Sequence, residues 1–243
     1  MLASTARAAI LVFALLAASA SARADDLADF NAAVEKAAAH DRVAIGYLRN
    51  GNLDLALVEI DRLREAWRTL FNRFSGRQPH VFDGNPRYVA TMTDIATRLV
   101  SLDLMVQMGK PDGARKTLIG IREDLYKLRK SAGIVVLADC IYDANAAMDA
   151  LMAYNDPKID LKKPGVSDAI AAKARAYSDI INRCDSTAGK TVRQSPEFRR
   201  LVDGVRHGLV PLPHALVARD AGELHRVLIE LRSFDNLMAF RFG

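Results

Sequence analysis

The sequence predicts an all-α fold of antiparallel helical hairpins. Three observations lead there. Half of the residues are hydrophobic, enough to fill a core, yet only 14 Gly and 8 Pro are spread over 243 residues, too few for a turn-rich β protein. Alanine, leucine, arginine and aspartate dominate, which favours helix. Apolar positions recur at steps of three and four between clusters of Gly, Pro, Asn and Asp.

The first segment reads as an address. In residues 1–24, Arg7 precedes an apolar run from Ala8 to Ala20, and Ala22-Arg23-Ala24 places small residues before a cut at Asp25, the layout of a secretory signal peptide. The run is shorter than the ~20 residues needed to span a bilayer. A periplasmic or secreted chain follows, with no stable membrane anchor once the signal is cleaved.

The rest divides into about eight helices. The first covers 27–49 and stops at Arg49-Asn50-Gly51-Asn52; the second runs over 53–75, with Leu57, Ile60, Leu63, Trp67, Leu70 and Phe74 on one face. Its polar face pairs Asp61 with Arg64 and Glu65 with Arg68 at neighbouring helical positions. Ser75 to Pro86 is a loop. The third helix, 87–108, ends at Gly109-Lys110-Pro111, and Pro111 suits the first turn of the fourth, where its missing N–H costs nothing. After Gly133 come a fifth helix over 134–154, a connection from Asn155 to Gly165, and a sixth helix over 167–185. A loop over 186–196 closes on Ser195-Pro196, a cap followed by a first-turn proline. The seventh helix, 197–219, must kink near Pro211 and Pro213, and the eighth starts after Asp220 with Glu223 in capping-box spacing. Its seam runs through Leu224, Leu228, Leu231, Phe234 or Asp235, Met238 and Phe242. Short turns make sequential helices antiparallel neighbours. The expected organisation is two four-helix bundles, 25–131 and 134–243, packed together; a curved array of hairpins is the alternative.

Two stretches share a local pattern. Tyr47 to Ala56 holds an aromatic residue, the turn glycine Gly51 and the small Ala56, followed by Ile60; Met105 to Leu118 repeats it with Gly109 and Ala114. Gly permits the tight turn, and Ala lets two helices approach closely. The pattern, over about residues 43–63 and 101–121, resembles the tetratricopeptide repeat. Gly51 and Gly109 lie farther apart than the ~34 residues of tandem units of that family. The resemblance implies a surface that docks a peptide or protein.

Cys140 and Cys184 are the only cysteines, and export would place them in an oxidising compartment. In an antiparallel hairpin of the fifth and sixth helices, their heights differ by about 4–5 Å at the helical rise, so a disulfide is expected. The rivals are two buried free thiols or a thiol metal site.

Motifs for chemistry are sparse. No C-x-x-C-H attaches haem covalently, and no H-E-x-x-H, G-x-S-x-G or G-x-G-x-x-G appears. Gly189-Lys190-Thr191 resembles the end of a phosphate-binding loop, but the required upstream glycine is Cys184. No catalytic residue is therefore assigned, and no cofactor is expected. A metal or haem site built from His207, His214 and His225 is the sharpest alternative, since His214 and His225 flank one turn. Asp139 and Asp143 read as a solvated face, and Asp94 with Arg98 as an intrahelical ion pair; Asp103 has no assigned role. Lys and Arg number 34 against 29 Asp and Glu, a net +5 on a mixed surface without a basic stripe, so nucleic acid is not an expected partner. Three phenylalanines in the last ten residues suggest that the C-terminus docks into its bundle. The function expected is an exported, non-enzymatic binding or accessory module for a protein or peptide; the alternative is a periplasmic metal or haem carrier of four-helix-bundle type without covalent haem.

Overall fold

The computed structural model describes the backbone over residues 3–243 and side chains from Asp26 onward; the signal-peptide reading of residues 1–24 lies outside the described side chains. No strand occurs among the described residues. The chain divides into two compact units, Met1–Gly133 and Ile134–Gly243.

Unit one contains α1 (Ala3–Arg49), α2 (Leu53–Phe74), a 3-10 turn (His80–Phe82), α3 (Arg87–Gln107) and α4 (Pro111–Ser131). α1 packs on α2, α2 on α3, α3 on α4, and α4 returns to α1. The ring is closed, whereas an open curved array would leave its first and last helices apart. Each helix buries one stripe, for example Ile60, Leu63, Trp67 and Leu70 on α2 and Ile95, Leu99 and Leu102 on α3.

The turns follow the sequence closely. Gly51 and Gly109 adopt the left-handed backbone, φ 75° and 70°. The amides of Asn52 and Lys110 then donate back to the carbonyls of Tyr47 and Met105, at 3.0 and 2.9 Å, which satisfies a helix end. Ala56 and Ala114 are fully buried where the returning helix crosses close by. The stretch from Ser75 to Pro86 is more than a connector. Phe82 is fully buried and meets Phe30, which also contacts Phe74 edge-on at 5.4 Å, while Tyr88 donates its hydroxyl to the Phe74 carbonyl at 3.1 Å. These rings plug the end of the bundle. Surface ion pairs stitch neighbouring helices: Arg64 joins Asp61 at 2.7 Å and Asp103 at 2.6 Å, which gives Asp103 its role, and Arg98 joins Asp94 at 2.7 Å as well as Asp124.

Unit two contains α5 (Leu137–Met152), α6 (Val166–Thr187), α7 (Lys190–Gln194), α8 (Pro196–Leu209), α9 (Leu212–Ala218) and α10 (Ala221–Phe242). α5, α6, α8 and α10 form a second closed ring, each packing on the next and α10 on α5. Three boundaries differ from expectation. α5 begins later, because Val136 is extended at φ −123°, ψ 162°. The loop after α6 contains the short α7. The expected kinked helix over 197–219 is broken into α8 and α9, because Pro211 has no amide to continue the ladder and instead starts the next segment. The Ser195 hydroxyl accepts from the Phe198 amide, and the Asp220 carboxylate accepts from the Glu223 amide at 2.8 Å. At the C-terminus, Phe242 meets Phe198 edge-on at 5.2 Å and Phe234 packs against the core, so the chain end docks, while Phe240 faces outward.

The turn into α10 repeats the geometry of the two glycine turns, with the Asp220 amide donating to the Ala215 carbonyl at 2.9 Å. Here Arg219 occupies the left-handed position, at φ 56°. A side chain in that conformation costs roughly 1 kcal/mol, so Arg219→Gly should raise the melting temperature of unit two by a few degrees in a thermal melt. α8 and α10 meet at Gly204, where an added Cβ would lie 2.4 Å from the Phe234 ring. Gly204→Ala should therefore destabilise unit two by about 1–3 kcal/mol despite the better helix propensity of alanine. Adding Phe234→Leu should recover part of that loss in denaturant titrations.

Candidate functional site

α5 and α6 are antiparallel neighbours, and the disulfide between Cys140 and Cys184 ties them, with Cα atoms 5.4 Å apart and a sequence separation of 44. Both cysteines are buried, at 3% and 0% exposure, so a reductant meets the bridge only when the helices part. Beside it, Asp139 is buried and not solvated as the sequence suggested, while Asp143 lies 3.7 Å from Arg183 on α6.

Next to the disulfide-linked pair, α10 carries a buried acid that interrupts its apolar seam. Asp235 is 1% exposed. Arg232 reaches it at 3.1 Å and also pairs with Asp149, the Asn145 side chain hydrogen-bonds to it, and the Tyr177 hydroxyl lies 3.5 Å away. Burial pushes the Asp235 carboxyl up to about 6, and the hydrogen bond from Asn145 and the charge of Arg232 pull against that rise. Burial, reinforced by the neighbouring Asp235 charge, pushes the Tyr177 phenol far above its ordinary range. At the other edge of α6, Asp185 is held below the usual carboxylate range, chiefly by the hydrogen bond from Arg199.

The three histidines singled out by sequence have separate partners. His207 Nδ1 lies 2.7 Å from the Asp203 carbonyl of its own helix, His214 Nδ1 lies 3.1 Å from Glu223, and His225 Nδ1 lies 2.7 Å from Asn155 in the connection before α6. Among the described residues, no group of three or more His, Cys, Asp or Glu side chains is placed to hold a metal ion.

Unit one holds a buried acid that no sequence motif marks. Asp41 falls in the α1 stripe of Ala37, Ala44 and Leu48 and is 5% exposed. Its spacing is the signal: Asp41 lies four residues after Ala37 and three before Ala44, on the apolar face. Arg122 from α4 and Arg42 place positive charge near it, yet burial outweighs them and pushes the carboxyl up to about 7. On the α2 side, His40 pairs with Glu59 at 2.7 Å and Arg62 with the same carboxylate at 2.6 Å. Asp41 and Asp235 are too buried to meet a substrate in this packing. What each can do is take up a proton.

The accessible feature is the outer face of α3. Its outward row reads Val89, Thr93, Thr97, Val100 and Leu104, continued by the capping residue Met108, all exposed and none charged. Val100 is 73% exposed, Leu104 59% and Met108 57%. No helix among the described residues is long and apolar enough to cross a membrane. Comparison with protein-family models, characterised proteins and solved structures found no match.

The disulfide yields a direct test. Untreated protein should show no alkylatable thiol by mass spectrometry, and the double variant C140A/C184A should lose about 4 kcal/mol of stability in unit two on the chain-entropy account of a loop this long. A pair of alkylatable thiols would contradict the bridge.

Proposed function

We propose that this chain is an exported, non-enzymatic helical module that binds a protein or peptide partner. The observation that supports it is the uncharged outer row of α3. Exposed apolar residues are ordinary when scattered, but a row along one helix lacks the charged cover that its neighbours have. α2 presents Asp61, Glu65 and Arg68 to solvent, and α4 presents Asp112 and Lys127. A partner covering Val100, Leu104 and Met108 removes apolar area from water without stripping water from a charge, since the flanking Asp103 and Arg98 are already paired. The buried disulfide supports a chain that works in an oxidising compartment, periplasmic or secreted.

The test is capture from the exported fraction of the native host. Wild-type protein should retain a partner that the double variant V100D/L104D loses, while the two proteins melt at the same temperature, because neither side chain is in the core. Equal capture by both, or none by either, counts against this reading.

A further inference from the structure

The α1–α4 contact closes the ring of unit one, and Asp41 lies within the buried stripe that α1 contributes to it. Three structural facts set Asp41 apart from the paired acids of the surface. It is buried among apolar neighbours, one carboxylate oxygen, Oδ1, has no hydrogen-bond partner, and the charges that approach it come from two helices. α1 supplies Arg42, itself paired with Glu35 at 2.6 Å, and His40, which is turned to Glu59. α4 supplies Arg122. α2 offers Glu59, engaged by His40 and Arg62, and α3 commits its charges elsewhere, Asp103 to Arg64 and Arg98 to Asp94 and Asp124.

We propose that the α1–α4 seam is a proton-operated latch: it is tightest when Asp41 is neutral and loosens when Asp41 is ionised. A neutral carboxyl needs only hydrogen bonds. An ionised one must keep a full charge in a site where one of its oxygens is unpartnered, and an unpaired buried polar atom costs far more than the same atom in water. Burial raises the proton affinity of Asp41 more than Arg122 and Arg42 lower it, which puts the change near neutral pH, where an exported chain meets varying acidity.

The sign follows from proton counting. The folded unit holds this proton up to higher pH than the unfolded chain, so Asp41 favours folding as pH falls from about 8 towards 5. Each pH unit in that window changes the folded-to-unfolded ratio by up to about tenfold for one proton. Other acids, Asp185 among them, act in the opposite direction, so the contribution of Asp41 is read as a difference between variants.

The experiment is denaturant unfolding of wild type and Asp41→Asn at pH 5, 6, 7 and 8. The neutral amide mimics the protonated acid and does not titrate, so the advantage of the variant over wild type should be smallest at pH 5 and grow with pH. At pH 8 the variant should exceed wild type by about tenfold or more in folded-to-unfolded ratio. A variant less stable than wild type at pH 8 would mean that the carboxylate and Arg122 form a productive ion pair, and the latch would be overturned. Should the variant fail to fold, amide hydrogen exchange of the wild-type chain decides, after correction for the intrinsic pH dependence. Amides of α1 and α4 should be better protected at pH 5.5 than at pH 8, and equal protection would overturn the proposal.

Discussion

Both units depend on one constraint: four apolar helix stripes must face a common centre, so the chain must turn back on itself between successive helices. The reversals at Gly51, Gly109 and Arg219 solve that problem in the same way, with one left-handed residue and an amide that reaches back to a carbonyl five residues earlier. The turn closes the helix end and aims the next helix back along the first. Small residues at the crossing, Ala56 and Ala114 in unit one and Gly204 in unit two, then set how near the helices come. Apolar burial of the stripes provides the driving force, and the turns decide where it acts.

The polar groups inside the rings carry information of a different kind. Surface pairs such as Asp61–Arg64 are exposed to solvent and contribute little to stability, because water screens them and their side chains lose freedom when they meet. Asp235 and Asp41 are buried, so their surroundings dominate. Asp235 has its demands met by Asn145, Arg232 and Tyr177 and reads as part of a satisfied network. Asp41 has an oxygen without a partner, and this contrast is why one acid is a structural fixture and the other the basis of a responsive element.

The disulfide complements the turn into α6. Within unit two the connection between α5 and α6 is long, running through Pro157 and Pro164, so no tight reversal fixes the register of that pair. A covalent tie between Cys140 and Cys184 supplies what the missing short turn does not, by limiting the separations that the unfolded chain can reach. The outer row of α3 lies on a helix whose other face is fully used in the core, so its apolar residues cannot be explained by the packing of unit one.

The sequence by itself determined the helices, the turns at Gly51 and Gly109, the caps at Ser195 and Asp220 and the cysteine pairing, because each rests on neighbours a few residues apart or on helix geometry that local spacing dictates. It also held the position of Asp235 in the α10 seam and of Asp41 in the α1 stripe, since both keep the three-and-four spacing of their apolar neighbours. Only the tertiary structure decided what those acids meet: Arg122 and Tyr177 come from other helices, far away in the chain, and no spacing rule specifies which side chain crosses a core. The same holds for the split of α8 from α9, the burial of Phe82 from a stretch rich in turn residues, and the separate partners of His207, His214 and His225. Local chemistry sets the backbone path, while burial and charge are properties of the whole assembly of helices around a residue.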